Sequence, residues 1–209
     1  MTNQTDVKIH SIFPIPVYVA TSDSDLISKE EIEKIIQKGM YKNDGNSYTK
    51  NTYVFNENLK EIKEFCEHHI KTYVKEVINH KEELDIYITQ SWINVNKPGE
   101  FHHNHFHTNS IISGVFYIST EEDDRILFTE PNFKTKELIR FEPKEYNLWN
   151  SSTWFFPSIT NELILFPSWL MHKVESNEKA TTDRISISFN TFVRGNLGDR
   201  KELTELILK

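Results

Sequence analysis

Four of the nine histidines in this 209-residue chain fall within six positions, in Phe101-His102-His103-Asn104-His105-Phe106-His107. Solubility does not require that concentration, and imidazole is the commonest protein ligand for iron, zinc, copper and nickel. On extended backbone, residues i and i+2 point the same way, so His105 and His107 can hold one ion, and so can His103 and His105. Either pair needs a third ligand from elsewhere. The best placed is His172, a lone histidine just past the apolar run Leu163-Ile164-Leu165-Phe166 and Pro167. By itself His172 reads as a satisfied structural histidine, and the cluster by itself as a polar loop. Arg184, twelve residues beyond His172, changes that balance. It opens a strictly alternating segment and shares a face with Ser186, Ser188 and Asn190. A guanidinium fork facing a pocket suits a carboxylate, and such a charge-assisted pair contributes about 1.5–3 kcal/mol. Three candidate ligands plus a carboxylate-binding arginine fit a redox metal that keeps positions open for a carboxylate co-substrate and O2.

Strands must position these groups, and the pattern supplies them from Leu84 onward. Trp92, Asn94 and Asn96 alternate with Ile93 and Val95 before Lys97-Pro98-Gly99 turns the chain. Ser113, Val115 and Tyr117 oppose Ile112, Gly114, Phe116 and Ile118, and Ile126 to Thr129 is a further short strand. Leu163 to Phe166 is continuously apolar, which predicts a strand covered on both sides. Ile185, Ile187 and Phe189 form the apolar face of the last clear strand. Earlier in the chain, Phe13 to Ala20 with its two prolines predicts an edge strand, and Ser28 to Met40 a helix. A second helix runs from Glu57 to about Val77, where Leu59, Ile62, Cys66, Ile70, Tyr73 and Val77 make one stripe. Cys66 is therefore expected as a core thiol, and His68 and His69 as solvated flanking residues. The segment from Glu121 to Asn161 reads as a long irregular loop or insert. Its aromatics Phe133, Tyr146, Trp149, Trp154, Phe155 and Phe156 are expected as the core of that insert rather than as a lid.

Composition excludes several classes. With 37% hydrophobic residues, 14 Phe, 8 Tyr and 4 Trp, the chain is too rich for intrinsic disorder. The net charge of −7 and pI near 5.7 argue against a protein that lives on nucleic-acid backbones. One cysteine rules out a disulfide framework and a thiolate-rich zinc module. No apolar run approaches the ~20 residues of a membrane span, and Met1 to Asp6 lacks a signal peptide's basic and apolar regions. The expectation is a soluble, cytoplasmic chain of one domain, 1–209, with a helical part over 1–82 and a barrel core over 84–193. Helices first and strands afterwards predict an α+β, mainly β, class.

Residues 91 to 192 resemble the Fe(II)/2-oxoglutarate-dependent oxygenase superfamily, in particular a family of 2-oxoglutarate–Fe(II) oxygenases of bacteria and phages. The resemblance is carried by Ser91-Trp92-Ile93-Asn94-Val95-Asn96, Pro98-Gly99, His105-Phe106-His107 with Asn109-Ser110, and Ser113-Gly114-Val115-Phe116-Tyr117. It continues through Leu165-Phe166-Pro167-Ser168-Trp169-Leu170-Met171-His172 and ends with Arg184-Ile185-Ser186-Ile187-Ser188-Phe189-Asn190. It implies a double-stranded β-helix, or jelly-roll barrel, with the N-terminal helices packed on it. It further implies Fe(II) held by His105, His107 and His172, and the distal carboxylate of 2-oxoglutarate held by Arg184 with help from Ser186. Asn94 and Asn96 stand where nucleic-acid dealkylating relatives have Asn-x-Tyr-x-Pro-Gly, and so would line the co-substrate pocket. The implied activity is a dioxygenase of hydroxylase type, using O2 and releasing succinate and CO2. Its substrate would be an unidentified small molecule or peptide. Most of the superfamily has His-x-Asp or His-x-Glu, whereas His107 makes this site one charge more positive; Glu100 is a poor substitute ligand.

A cupin-type dioxygenase with three histidines and no 2-oxoglutarate is the nearest alternative, because Gly99, His105, His107, Pro167 and His172 have its spacing. Ile111 or Ile112 at the expected glutamate, Trp169 at the expected glycine and an unexplained Arg184 count against it. A non-catalytic metal-binding barrel is the alternative of a different class.

Overall fold

The computed structural model describes residues 7–81, 84–132, 139 and 141–209. Among the described residues, twelve strands and two α-helices follow in the order β1 (Tyr18–Thr21), α1 (Lys29–Gln37), β2 (Met40–Lys42), β3 (Ser47–Thr49), α2 (Lys60–Tyr73), β4 (Asp85–Asn96), β5 (His102–His105), β6 (Ile112–Ser119), β7 (Arg125–Thr129), β8 (Thr153–Pro157), β9 (Glu162–Pro167), β10 (His172–Val174), β11 (Arg184–Leu197) and β12 (Leu206–Leu208). The larger sheet has the order β1-β9-β6-β11-β4-β3-β2, with β12 beside β11, and the smaller has β5-β10-β7-β8. Every ladder between these strands is antiparallel. Two such sheets face to face, joined by crossing connections, make the expected jelly roll.

The alternation of each central strand sorts its side chains between two apolar layers. Phe116 and Ile118 of β6, Leu163 and Leu165 of β9, and Ile187 and Phe189 of β11 join Ile32, Ile62, Cys66 and Ile70 of the helices in one core. Val115, Tyr117, Ile164 and Phe166 from the opposite faces of β6 and β9 pack with Ile126 and Phe128 of β7 in a second core between the sheets. β9 is thus continuously apolar from Leu163 to Phe166 because both its faces are covered. The helical layer braces the back of the large sheet and leaves its front face free for the site. Ser28 starts α1 with a reciprocal capping box to Glu31, whose backbone N–H donates to the Ser28 hydroxyl at 3.3 Å. Cys66 is fully buried, and burial pushes its thiol pKa up, which leaves it unreactive core.

Gly114 on β6 lies opposite Phe189 of β11, and a Cβ there would stand 2.2 Å from the Phe189 ring. Phe189 is fully buried and cannot swing away. Gly114→Ala is therefore expected to cost about 1–3 kcal/mol by overpacking. Its denaturant midpoint should fall with an unchanged slope; a midpoint equal to the parent's would mean that the ring has room.

Three expectations need correction. The stretch 121–161 contains, besides the expected strand β7, its partner β8, which the irregular polarity conceals. Its described aromatics are not an internal core: Tyr146 is 71%, Trp149 60% and Phe155 52% exposed, Trp154 is exposed too, and only Phe156 packs partly against the second core. Phe133 lies outside the described residues. His69 is not merely solvated, since its Nδ1 hydrogen-bonds the Tyr18 hydroxyl at 2.7 Å and ties α2 to β1. Strands β2, β3 and β12, three residues each, were too short for any periodicity to reveal.

Candidate metal centre

β5 and β10 pair so that His105 sits directly opposite His172. β5 ends at His105, so His107 is not held by strand alternation as expected. Its backbone N–H donates instead to the Ser168 carbonyl at 2.9 Å, which anchors it beside the chain that leads into His172. The candidate ligand atoms of His105, His107 and His172 all lie within 4.8 Å of one another, close enough to share one ion.

The hydrogen bonds behind the rings decide which nitrogen each one presents. His105 Nδ1 is 2.8 Å from the His103 carbonyl, His172 Nδ1 is 2.9 Å from the Leu170 carbonyl, and His107 Nδ1 is 2.6 Å from Asn190 Oδ1. Each partner is an acceptor, so Nδ1 carries the hydrogen and Nε2 keeps its lone pair. His107 Nε2 is buried with no hydrogen-bond partner. Burial also lowers the pKa of all three rings, to about 4 for His107 and well below the ordinary value for His172, with the neighbouring histidines adding to it. Neutral imidazoles with Nε2 free are what a divalent metal requires. Trp92 stacks on His107 at 5.9 Å, and Phe166 packs edge-on to His172 at 4.6 Å.

Asn190 had no assigned role beyond its place on the polar face of β11. Its amide oxygen also accepts from Ser113 Oγ at 3.0 Å, which holds it toward His107. Asn190→Ala is expected to lower the affinity for a divalent metal about 10- to 100-fold, the usual range for a partner that orients a ligand. Competition with a chromophoric chelator would read this directly, and an unchanged affinity would show that His107 is oriented by something else.

Arg184 lies at the other end of the same cavity, almost wholly buried and cross-strand from Asn96. Its Nη1 is 3.5 Å from Asp124 Oδ1, and its Nη2 is buried with no hydrogen-bond partner. Burial works against the guanidinium charge, while Tyr117 and Asp124 work for it. Asn96 Nδ2 is a second buried, unpartnered donor. Asn94 lines the cavity too, but its amide is already engaged, donating to Ser188 Oγ at 2.9 Å and accepting from Asn46 at 3.3 Å. Ser186 and Tyr117 complete this end, and burial pushes the Tyr117 hydroxyl pKa up to about 12. Glu100 is no ligand; its carboxylate accepts from the Lys97 N–H at 2.9 Å and pairs with Lys42. Asp124 was invisible as a partner for Arg184 because sixty residues and four strands separate them.

Size alone would direct attention elsewhere. An open groove of ≈ 910 Å³ between the N-terminal ends of α1 and α2 contains no histidine, cysteine or arginine, whereas the ≈ 50 Å³ cavity is lined by His105, His107 and His172 together with Arg184, Ser186 and Asn96. The chemistry selects the smaller one.

Residues 90–190 match the model of the family described as "Putative 2OG-Fe(II) oxygenase". The match spans the barrel core and is to a family of Fe(II)/2-oxoglutarate-dependent oxygenases. Solved structures agree with that oxygenase fold at low identity. A prolyl-4-hydroxylase of Pseudomonas putida superposes with a TM-score of 0.55 at 10% identity, over 87% of this chain and 94% of its own. HygX of Streptomyces hygroscopicus, solved with nickel and 2-oxoglutarate, gives 0.54 at 9%, over 85% and 82%. The α-ketoglutarate-dependent carbocyclase SnoK of nogalamycin biosynthesis gives 0.57 at 10%, over 87% and 81%. No curated protein sequence matches this chain.

Proposed function

We propose that the chain is one oxygenase domain, 1–209, in which His105, His107 and His172 hold Fe(II) and Arg184 holds 2-oxoglutarate. The observation that carries this reading is the pairing of orphaned atoms across one cavity: the lone pair of His107 Nε2 at one end, and the donors Arg184 Nη2 and Asn96 Nδ2 at the other. Buried polar atoms without partners are rare, and these suit a ligand with a metal at one end and an acceptor anion at the other. When bound, the iron and the keto acid supply O2 activation, with succinate and CO2 released.

The chain's own part is to bind and orient. Nδ1 hydrogen bonds fix all three rings, so their Nε2 atoms converge without reorganisation. Three neutral ligands leave the centre one charge more positive than a site with a carboxylate ligand, which strengthens attraction for a dianion. Arg184 offers its free edge to the distal carboxylate, Ser186 a hydroxyl, and Asn94 and Asn96 the wall on the neighbouring strand. Val115, Ile126 and Phe166 line the rest and limit the water that can enter. Hydroxylation is the proposed outcome, because it asks only that a C–H bond be held beside the metal. The exposed aromatics Phe106, between two proposed ligands in sequence, and Trp169, three residues before His172, support a small molecule or peptide as substrate. No helix among the described residues is long and apolar enough to cross a membrane, which fits the proposed cytoplasmic location.

The cupin alternative fares worse, since Ile112 at its glutamate position is buried in the helical-side core. Titrating 2-oxoglutarate into the Fe(II)-loaded chain without oxygen separates the readings. A saturable visible charge-transfer band supports the proposal; iron retained without any band would overturn it in favour of a barrel that does not use a keto acid.

A further inference from the structure

β5 carries one residue more than β10 between two paired positions, because His172 faces His105 while Val174 faces His102. This bulge breaks the period of two, so His102 and His105 project to the same side although three residues apart. Their rings stack at 4.3 Å with 25° between the planes, and His102 lines the cavity together with Arg184. His102 also stands within reach of the Arg184 charge. It groups with His103 and His105 but not with the His107 and His172 ligand atoms, so it is not a fourth member of the triad. Among the described residues none hydrogen-bonds either nitrogen of the His102 ring, in contrast to the three ligands, whose Nδ1 atoms are all engaged.

An imidazole offers at least one N–H in either protonation state. Here the ring lines a cavity whose buried unpartnered donors lie on Arg184 and Asn96. We infer that His102 is a positioning residue for the co-substrate, donating a hydrogen bond to the bound dicarboxylate between the metal end and the Arg184 end. The inference rests on the proposed function above and adds a further donor to it. The bulge is then a functional device: without the extra residue His102 would point to solvent, as the exposed His103 does.

The test is 2-oxoglutarate binding to the Fe(II)-loaded chain without oxygen, by calorimetry and by the visible band, together with Fe(II) affinity by chelator competition. His102→Phe keeps a ring to stack on His105 and removes the N–H. It is expected to weaken 2-oxoglutarate about tenfold while leaving Fe(II) affinity within about twofold. His102→Gln, which restores a side-chain N–H, should recover most of that loss, and His102→Ala should show the loss whether or not phenylalanine fits. Wild-type affinity for 2-oxoglutarate in the Phe and Ala variants would overturn the inference and leave the proposed function standing. Loss of iron in those variants would make His102 a ligand and overturn it as well. An iron-loaded wild-type chain that binds no 2-oxoglutarate would overturn both.

Discussion

Replacing Arg184 by alanine is expected to weaken 2-oxoglutarate binding about 10- to 150-fold and to leave Fe(II) affinity close to wild type. The range follows from the roughly 1.5–3 kcal/mol of a hydrogen bond between charged groups. Arg184→Lys should recover only part of it, because a point charge cannot reproduce the planar fork. The substitution has a second consequence that must be separated from the first. Arg184 and Asp124 are both buried, so alanine leaves the Asp124 carboxylate without its cation, a change that costs about 3–5 kcal/mol where the lost partner was essential. Adding Asp124→Asn should restore the melting temperature without restoring 2-oxoglutarate affinity. If the double variant regains both, the Arg184 effect is one of folding; if neither variant loses 2-oxoglutarate affinity, Arg184 does not belong to the site.

His172→Ala is expected to lower Fe(II) affinity by more than about 100-fold, beyond the range for a partner such as Asn190 that only orients a ligand. The fold should survive. His172 opens a strand of three residues whose backbone ladders to β5 and β7 do not depend on its side chain. Chelator competition and a thermal melt measured together would separate metal loss from unfolding. His103→Ala is the matching control and should keep its metal, because His103 is exposed and belongs only to the outer group with His102 and His105. If His172→Ala kept its iron and His103→Ala lost it, the metal would sit in that outer group instead.

The sequence by itself singled out the candidate ligand histidines, the candidate carboxylate-binding arginine and the strands that bear Arg184 and the two asparagines. Strict alternation in β4 and β11 leaves one choice of face, and Ile185, Ile187 and Phe189 claim the helical side, so Arg184 and Ser186 must face the other. The same logic made β9 a strand buried on both faces, because a run of four apolar residues between polar ends needs two apolar layers. What only the tertiary structure decided depends on register between strands that are distant in the chain. Local period says which face a residue takes, but not which residue of another strand stands across from it. Asn190 meets His107, Asp124 meets Arg184, and His105 meets His172 only because the antiparallel ladders bring them together. The bulge in β5 is the clearest case. Periodicity places His102 and His105 on opposite faces, and one extra residue, set by pairing with β10, turns both into the cavity.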